Sequence, residues 1–385
     1  MTRAVEMVSG AANPASCTRP AIRILQVTPT IYSNSSVIGG GEKLVLYVDQ
    51  ALKRAARAAG VAIATSVLSF GVDPDDAISD HGIHYRVIAG SPWDTHSIDA
   101  NSLIFELLAA DVVYIHQGLT AVGMFVAAHA RLLRRRVIGN DSGAGEYPML
   151  NRNPDVARVY DSFHAQSKYA ASSFNTFDIP IDVIPGPLDT ETFVPPLRSQ
   201  RDPELVVAVG RVMPHKGFDR IIRALPPTLS LVIVGQLYDA EYVAYLNDLA
   251  HGNNVTMKPG LSDADVRMIL QHAGLFVHAS THFDYRGNFI SKPELLGLAP
   301  LEALSCGLPT LVSNAGALPE LSRLPGCLCF EDDRSLADLL SRHSAGTLPQ
   351  PPEAEMHAAV DKLYGPLAFG GRLLTALMGS KQCAY

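Results

Sequence analysis

Apolar and polar positions along the chain fall into short segments whose period switches between that of a strand and that of a helix. Residues 22–27 form an apolar run of strand length, and 42–58 then repeats apolar positions at helical spacing. Residues 61–70 and 111–116 predict further strands, the second preceded by a helical stretch at 103–110. A helix over 121–135 leads into another strand at 136–139. A second series of the same kind starts near Glu204. It predicts strands at 205–209, 229–234, 255–258 and 275–278, with helices at 218–225, 238–250 and 263–272 between them. Strands separated by helices of this length imply parallel strands covered on both faces. Between the series, 184–202 contains Pro185, Pro187, Pro195 and Pro196. Prolines at that density resist both helix and central strand, which makes this the domain junction. The pattern predicts an α/β protein of two Rossmann-like domains, 21–190 and 191–361, after a loose arm at 1–20 rich in Ala, Ser, Pro and Thr. Residues 354–377 read as helical with interruptions at Gly365 and at Gly370-Gly371.

Length and charge agree with that picture and narrow it. A chain of 385 residues is more than one hydrophobic core usually organises. The net charge of −7, from 38 acidic and 31 basic residues, argues against broad nucleic-acid binding. Cys17, Cys306, Cys327, Cys329 and Cys383 are odd in number and irregular in spacing, so buried thiols are expected rather than a disulfide framework. Residues 1–19 lack the apolar core of a signal peptide and no segment reads as a membrane span, so a cytoplasmic or peripheral enzyme is expected.

Open parallel sheets bind ligands beyond the carboxyl ends of their strands, and two such edges facing one another would make a deep cleft. Three segments bring chemistry to those edges. Gly39-Gly40-Gly41-Glu42 stands between the first strand and the first helix, where glycines and free helix-start amides can meet an anion. Taken alone it is also compatible with a bare turn, and it matches neither the G-x-G-x-x-G fingerprint nor a phosphate-binding Walker loop. Residues 210–217 (GRVMPHKG) again join a strand to a helix, and Arg211 and Lys216 could both turn toward a pyrophosphate. His215 between them is expected at the surface. Glu294 lies on a loop and Glu302 near the start of a helix opened by Pro300, so two carboxylates eight positions apart could reach sugar and ribose hydroxyls. Asp73-Pro74-Asp75 and Asp263-Ala264-Asp265 have the form of acidic metal motifs. They read instead as a turn and a helix cap, and no metal site is expected.

Taken together these segments resemble the retaining glycosyltransferases of the GT-B fold, family 4, over residues 22–332. The likeness rests on GRVMPHKG at 210–217, on Glu294 and Glu302 as E-x7-E, and on PLEALSCGLPTLVSNAGALPEL at 300–321. The glycine loop, DVVYIHQG at 111–118 and VIPGPLDTETFVP at 183–195 add to it. By that resemblance Arg211 and Lys216 would hold the donor diphosphate, with Leu298 and Ala299 offering backbone amides to it. Glu294 would contact the transferred sugar and Glu302 the nucleotide ribose. His116 would sit by the sugar's reacting end or its primary hydroxyl, and Gly40 and Gly41 near the phosphates and acceptor. The resemblance also implies that the segment 362–385 crosses back to the first domain through Leu373, Leu374 and Leu377. Closure about 184–202 as a hinge would follow.

The chain departs from the family pattern in three places. Leu295 and Leu296 replace the glycine and phenylalanine usual after the first glutamate, which would narrow the sugar site. Ala317 replaces a second glycine. An insertion at 281–293 could close over substrate or form a plain surface loop.

The activity implied is retaining transfer of a hexose-type sugar from a nucleotide-diphosphate donor, UDP- or GDP-linked, to a hydroxyl acceptor, with no further cofactor. Attack would come from the leaving group's own face, assisted by the departing phosphate. The acceptor could be a small metabolite or a glycan. Lys53, Arg54, Arg57, Arg131, Arg134, Arg135 and Arg136 could give weak contact with anionic lipid. A nucleotide-sugar epimerase of the same fold and a non-catalytic carbohydrate-binding or scaffold protein are the competing readings.

Overall fold

The computed structural model describes residues 21–29, 32, 40–141, 154–198 and 200–379, with 40–42 and 154 as backbone alone. The arm at 1–20, the loop glycine Gly39, Cys17 and Cys383 lie outside the described residues.

The first half of the chain forms one eight-stranded sheet. Its elements are β1 (Ile22–Val27), α1 (Gly40–Ala59), β2 (Ile63–Gly71), β3 (Asp75–Ile78), β4 (His84–Ala89), α2 (Ala100–Ala109), β5 (Val112–Ile115), α3 (Ala121–Leu132), β6 (Arg136–Asn140), β7 (Ser162–Ala165), α4 (Lys168–Ser172) and β8 (Ile181–Val183). The strand order is β3-β4-β2-β1-β5-β6-β7-β8, and only β3 runs antiparallel, on the edge beside β4. The central strands are buried on both faces, which is why they read as apolar runs rather than alternations.

The second half repeats the plan in six parallel strands: β9 (Asp202–Val209), α5 (Phe218–Ala224), β10 (Ser230–Val234), α6 (Ala240–Leu249), β11 (Val255–Lys258), α7 (Asp263–His272), β12 (Ala273–His278), α8 (Leu298–Ser305), β13 (Thr310–Ser313), β14 (Cys327–Phe330) and α9 (Asp333–Ser344). They are ordered β11-β10-β9-β12-β13-β14, every neighbouring pair parallel. The expectation of two Rossmann-like sheets is therefore met. Cys306 and Cys327 are buried free thiols and Cys329 is half-buried.

Two further helices follow, α10 (Glu353–Tyr364) and α11 (Pro366–Met378). The break expected at Gly365 is present, but α11 runs through Gly370-Gly371 without interruption. Gly370 is there for closeness: a Cβ would overlap the carbonyl oxygen of Ala51 in α1. Phe369, Leu373, Leu374 and Leu377 join Ile24, Leu44, Val48 and Leu52 in one apolar cluster, so α11 packs on the first domain. Among the described residues no helix is long and apolar enough to cross a membrane.

Candidate active site

Strands β9 and β12 lie side by side, so the loops at their carboxyl ends meet. After β9 the chain makes a short 3-10 turn at Pro214–Lys216, which aims Lys216 back toward the edge of β12. Its Nζ donates to Glu294 Oε2 at 2.8 Å. The same oxygen lies 2.9 Å from His278 Nε2, and Ser280 Oγ is 3.1 Å from that nitrogen. Lys216 and Glu294 are 13% and 16% exposed at the side chain, so this is a nearly dry ion pair. Burial alone would raise the Glu294 pKa; the Lys216 ammonium and the His278 contact outweigh it and hold the carboxyl well below its usual range. His278 itself is lowered, by burial first. The loop backbone is clamped from behind. Ala317 N–H donates to Glu294 O at 3.0 Å, and Gly316, with φ 58, sits where a Cβ would overlap that carbonyl.

The other expected donor-side residues lie nearby in the chain's path but have different partners. Arg211 is exposed, with its guanidinium 5.5 Å from the ring centroid of Tyr238, and does not join the Lys216 network. His215, expected at the surface, is half-buried, and burial together with Lys216 pushes its pKa down to about 4. Leu298 and Ala299 open α8 after Gly297, and neither backbone N–H has an acceptor among the described residues. Pro300 follows, so the helix start presents two free donors and no third.

Glu302 is on the first turns of α8, half-buried, its carboxylate without a hydrogen-bond partner among the described residues. Burial, opposed by Lys43 and reinforced by Asp263 and Asp189, pushes its pKa up to about 7. Tyr47 is raised by burial first and then by Glu302, Asp263 and Asp189, which places α1 opposite this carboxylate. Gly40 and Gly41 begin that helix, and Lys43, in its first turn, pairs with Asp263 across the domains. Asp263 and Asp265 are thus a cross-domain ion pair and a capping-box residue, and Asp75 accepts from Tyr85 Oη at 2.7 Å. Among the described residues no group of three His, Cys, Asp or Glu is placed to hold a metal ion.

His116 ends up inside the first domain, 2% exposed. Its Nε2 lies 3.0 Å from Gln26 Oε1 and its ring is edge-on to Tyr114. Burial first, then His164, lowers its pKa to about 3, so the ring is neutral near pH 7. Nδ1 is buried without a partner among the described residues, as is Oε1 of the adjoining Gln117. His116 therefore offers one unused acceptor and no exposed face.

The insertion at 281–293 is neither a plain loop nor a free flap. Phe283 and Phe289 bridge to form a small hairpin, Tyr285 stacks on Tyr245 at 4.5 Å between ring centroids, and Arg286 pairs with Glu241. Its far end reaches the first domain: Tyr169 Oη donates to Ser291 O at 2.6 Å, and Lys292 Nζ pairs with the buried Asp141 at 2.9 Å. Leu295, expected to narrow the sugar site, instead buries its side chain in the first domain's main apolar cluster. Glu320 accepts from the backbone N–H of Lys168 and Tyr169 at 3.2 and 2.8 Å, capping α4 across the domain boundary. Sequence reasoning missed His278, Lys43, Asp141 and Lys292. For His278 the signal was available: it is the polar residue that closes an otherwise apolar strand at its carboxyl end.

Residues 189–340, which hold Lys216, Glu294 and Glu302, match the family described as Glycosyl transferases group 1. One subunit of the human phosphatidylinositol N-acetylglucosaminyltransferase is 24% identical over 299 residues, 70% of this chain and 57% of its own length. The GDP-mannose-dependent alpha-(1-6)-phosphatidylinositol monomannoside mannosyltransferase of Mycolicibacterium smegmatis is 28% identical over 215 residues, 52% of this chain and 51% of its own length. The chain thus spans only about half the length of these two relatives. Among solved structures, Anabaena Alr3699/HepE in complex with UDP and glucose superposes with a TM-score of 0.69 at 17% identity, covering 93% of this chain and 99% of that one. That likeness carries the fold.

Proposed function

We propose that this chain, a group 1 glycosyltransferase with the GT-B fold, transfers a hexose from a nucleotide-diphosphate sugar to an acceptor hydroxyl with retention of configuration at the anomeric carbon. The observation that carries the reading is the Lys216–Glu294–His278 network on the loop that leads, within a few residues of Glu294, into the two free amides of α8. It supplies one mobile cation, one ionised carboxylate and two unpaired N–H donors at the edge where such folds hold ligands. Lys216, Arg211 and the amides of Leu298 and Ala299 would meet the diphosphate. Preorganised charge of this kind is most effective where water is excluded. Glu294, kept ionised, would accept from sugar hydroxyls, and Glu302 from the ribose. His116 would act as a neutral group rather than as an acid or base, because it stays unprotonated near pH 7, and its buried Nδ1 would accept from a donor hydroxyl only once the wall around it opens.

The bond from the anomeric carbon to the diphosphate oxygen breaks, and a bond to the acceptor oxygen forms on the same face. The acceptor proton passes to the departing phosphate oxygen, so no protein base is required. A UDP- or GDP-sugar is the donor class; the Anabaena structure contains UDP, and the mycobacterial relative is named as GDP-mannose-dependent. A family 4 assignment and transfer without a metal belong to the same reading. Screening UDP-, GDP-, ADP- and dTDP-sugars for nucleotide release with and without acceptor tests it, followed by NMR of the product's anomeric centre. The acceptor panel runs from small metabolites and glycans to phosphatidylinositol, the lipid in both relatives' names. Inversion at that centre would overturn retention; donor stereochemistry scrambled without acceptor would point to an epimerase.

A further inference from the structure

The first-domain sheet has a second edge, at the amino ends of its strands and opposite the cleft. There α3 ends and the chain turns into β6 through Arg131, Arg134, Arg135 and Arg136. With Asp161 these four line a depression of about 360 Å³. The turn is fixed by backbone bonds, Arg134 N–H to Arg131 O and Arg135 N–H to Ala130 O, both 2.9 Å, with Arg134 at φ 58.

The guanidinium groups are unequally occupied. Arg131 pairs with Asp161, whose other oxygen accepts from Val137 N–H at 2.8 Å. Arg136 Nη2 donates to Ala376 O at 2.9 Å. Arg134 has no side-chain hydrogen bond or ion pair among the described residues. Arg135 faces Asp111, but both oxygens of Asp111 are already taken by Arg23, at 2.9 and 3.2 Å. The Nε atoms of Arg135 and Arg136 are buried without partners among the described residues. Four cations against one lining carboxylate leave three positive charges in excess. The carboxyl end of α3 relieves only part of that repulsion. Planar, always-charged forks held this close match oxyanions, which several of them can bind at once.

We infer that this depression is a binding site for a phosphate-bearing anion, a phosphomonoester or a diphosphate, remote from the transfer cleft. A phosphomonoester carries about −1.5 to −2 at neutral pH, which offsets most of the excess. Arg134 and Arg135 are the principal donors, because they hold nothing else in place. The same group could arrive on a soluble metabolite or on a lipid headgroup, and the experiment separates the two.

Calorimetric titration of the full chain with sodium pyrophosphate at fixed ionic strength is the test. It compares the wild type with R134N/R135Q, with R158Q/R198Q as a charge-matched control on exposed arginines, and with K216Q to remove cleft binding. The expected result is one site weakened at least about tenfold in R134N/R135Q, the loss of charge-assisted bonds, and retained in the control and in K216Q. Flotation with phosphatidic acid vesicles, against phosphatidylcholine vesicles, is the second arm. Vesicle binding that requires Arg134 and Arg135 assigns the anion to a headgroup; pyrophosphate binding that requires them without flotation assigns it to a soluble ligand. The proposal is overturned if neither probe distinguishes R134N/R135Q from wild type, or if R158Q/R198Q loses as much. Circular dichroism melts establish that the variants fold, and the single variant R134N, at an exposed position, serves should the double variant fail.

Discussion

Replacing Glu294 with glutamine keeps the side chain's shape and removes the charge on which Lys216 and His278 converge. The Lys216 contact is 2.8 Å, and at an effective dielectric of about 20 a pair at that separation attracts by about 6 kcal/mol. Much of this offsets the lost hydration of both ions. Removing one partner of a buried pair nevertheless costs about 3–5 kcal/mol, because the other charge stays behind unpaired. The residual exposure of both side chains, 13% and 16%, places E294Q near the lower end. A domain of this size loses about 2–4 °C of melting temperature per kcal/mol, so a fall of roughly 6–12 °C is expected at pH 7. The pH dependence fixes the cause. The folded-state pKa of Glu294 is depressed, so its contribution is fully present above the unfolded value of about 4.3 and is lost as pH falls through the folded value. The gap between wild type and E294Q should therefore narrow only under acid conditions, below about pH 4. Donor turnover, read as nucleotide release, should fall by about 10²–10³, the effect of losing one preorganised polar contact. An unchanged melt together with unchanged turnover would refute the reasoning. A constant gap from pH 7 to pH 3 would refute the electrostatic part alone.

Glu302 carries the opposite sign: its pKa is raised to about 7, so it destabilises the fold progressively between the unfolded value and pH 7. E302Q should accordingly be more stable than wild type at pH 8, by at most about 4 kcal/mol, equal to it at pH 4, and impaired in donor KM; chemical melts at the two pH values decide. If the donor's ribose binds the ionised form, donor binding near pH 7 should release a proton, visible as buffer-dependent heat in calorimetry. Gly370→Val should cost about 1–3 kcal/mol by forcing α11 away from Ala51, while leaving the second domain's own melt in place. Lys292→Ala strips the buried Asp141 of its cross-domain partner, and hydrogen exchange should rise in α4 and in 281–293 together, with donor KM raised.

The sequence made the sheets legible because both are buried on both faces, so strand and helix periods switch cleanly at each boundary. What it concealed were mostly short strands: β3, β7, β8, β13 and β14 have three or four residues each, too few for a period to show, and the six-residue β4 beside edge strand β3 was passed over as well. The site was half legible for a similar reason. Lys216, Glu294 and Glu302 sit in a local pattern of spacing, whereas His278 joins them only because β12 lies beside β9. Glycines were read as breaks, and at Gly370 that was mistaken: the residue lets two helices touch, a contact between positions over three hundred apart. Leu295 misled in the same way. Its position beside Glu294 suggested a side chain in the sugar site, and only the tertiary arrangement shows it packed in the other domain's core.

The contacts that join the domains are of two physical kinds, and the difference bears on how a donor enters. On one side α11 lies along α1 through a wholly apolar cluster, with Gly370 bringing the backbones together. Separating those helices would expose several large aliphatic side chains to water at once. On the cleft side the links are mostly polar: Lys43 with Asp263, Lys292 with Asp141, Glu320 on the amides of α4, and Tyr169 on Ser291. Polar groups released there find water in place of one another, so each link breaks at a net cost far below its gross attraction. Leu295 is the apolar exception, a single side chain at the inner end of this row. Opening should therefore pivot on the α1–α11 face and part the polar links. Lys43 then serves twice, since its swing away from Asp263 also removes the cation that opposes protonation of Glu302. Closure brings the ammonium back and favours the ionised carboxylate, the form able to accept from a ribose hydroxyl. If Glu302 contacts the donor's ribose as proposed, its protonation state is in this way tied to the position of the opposite wall.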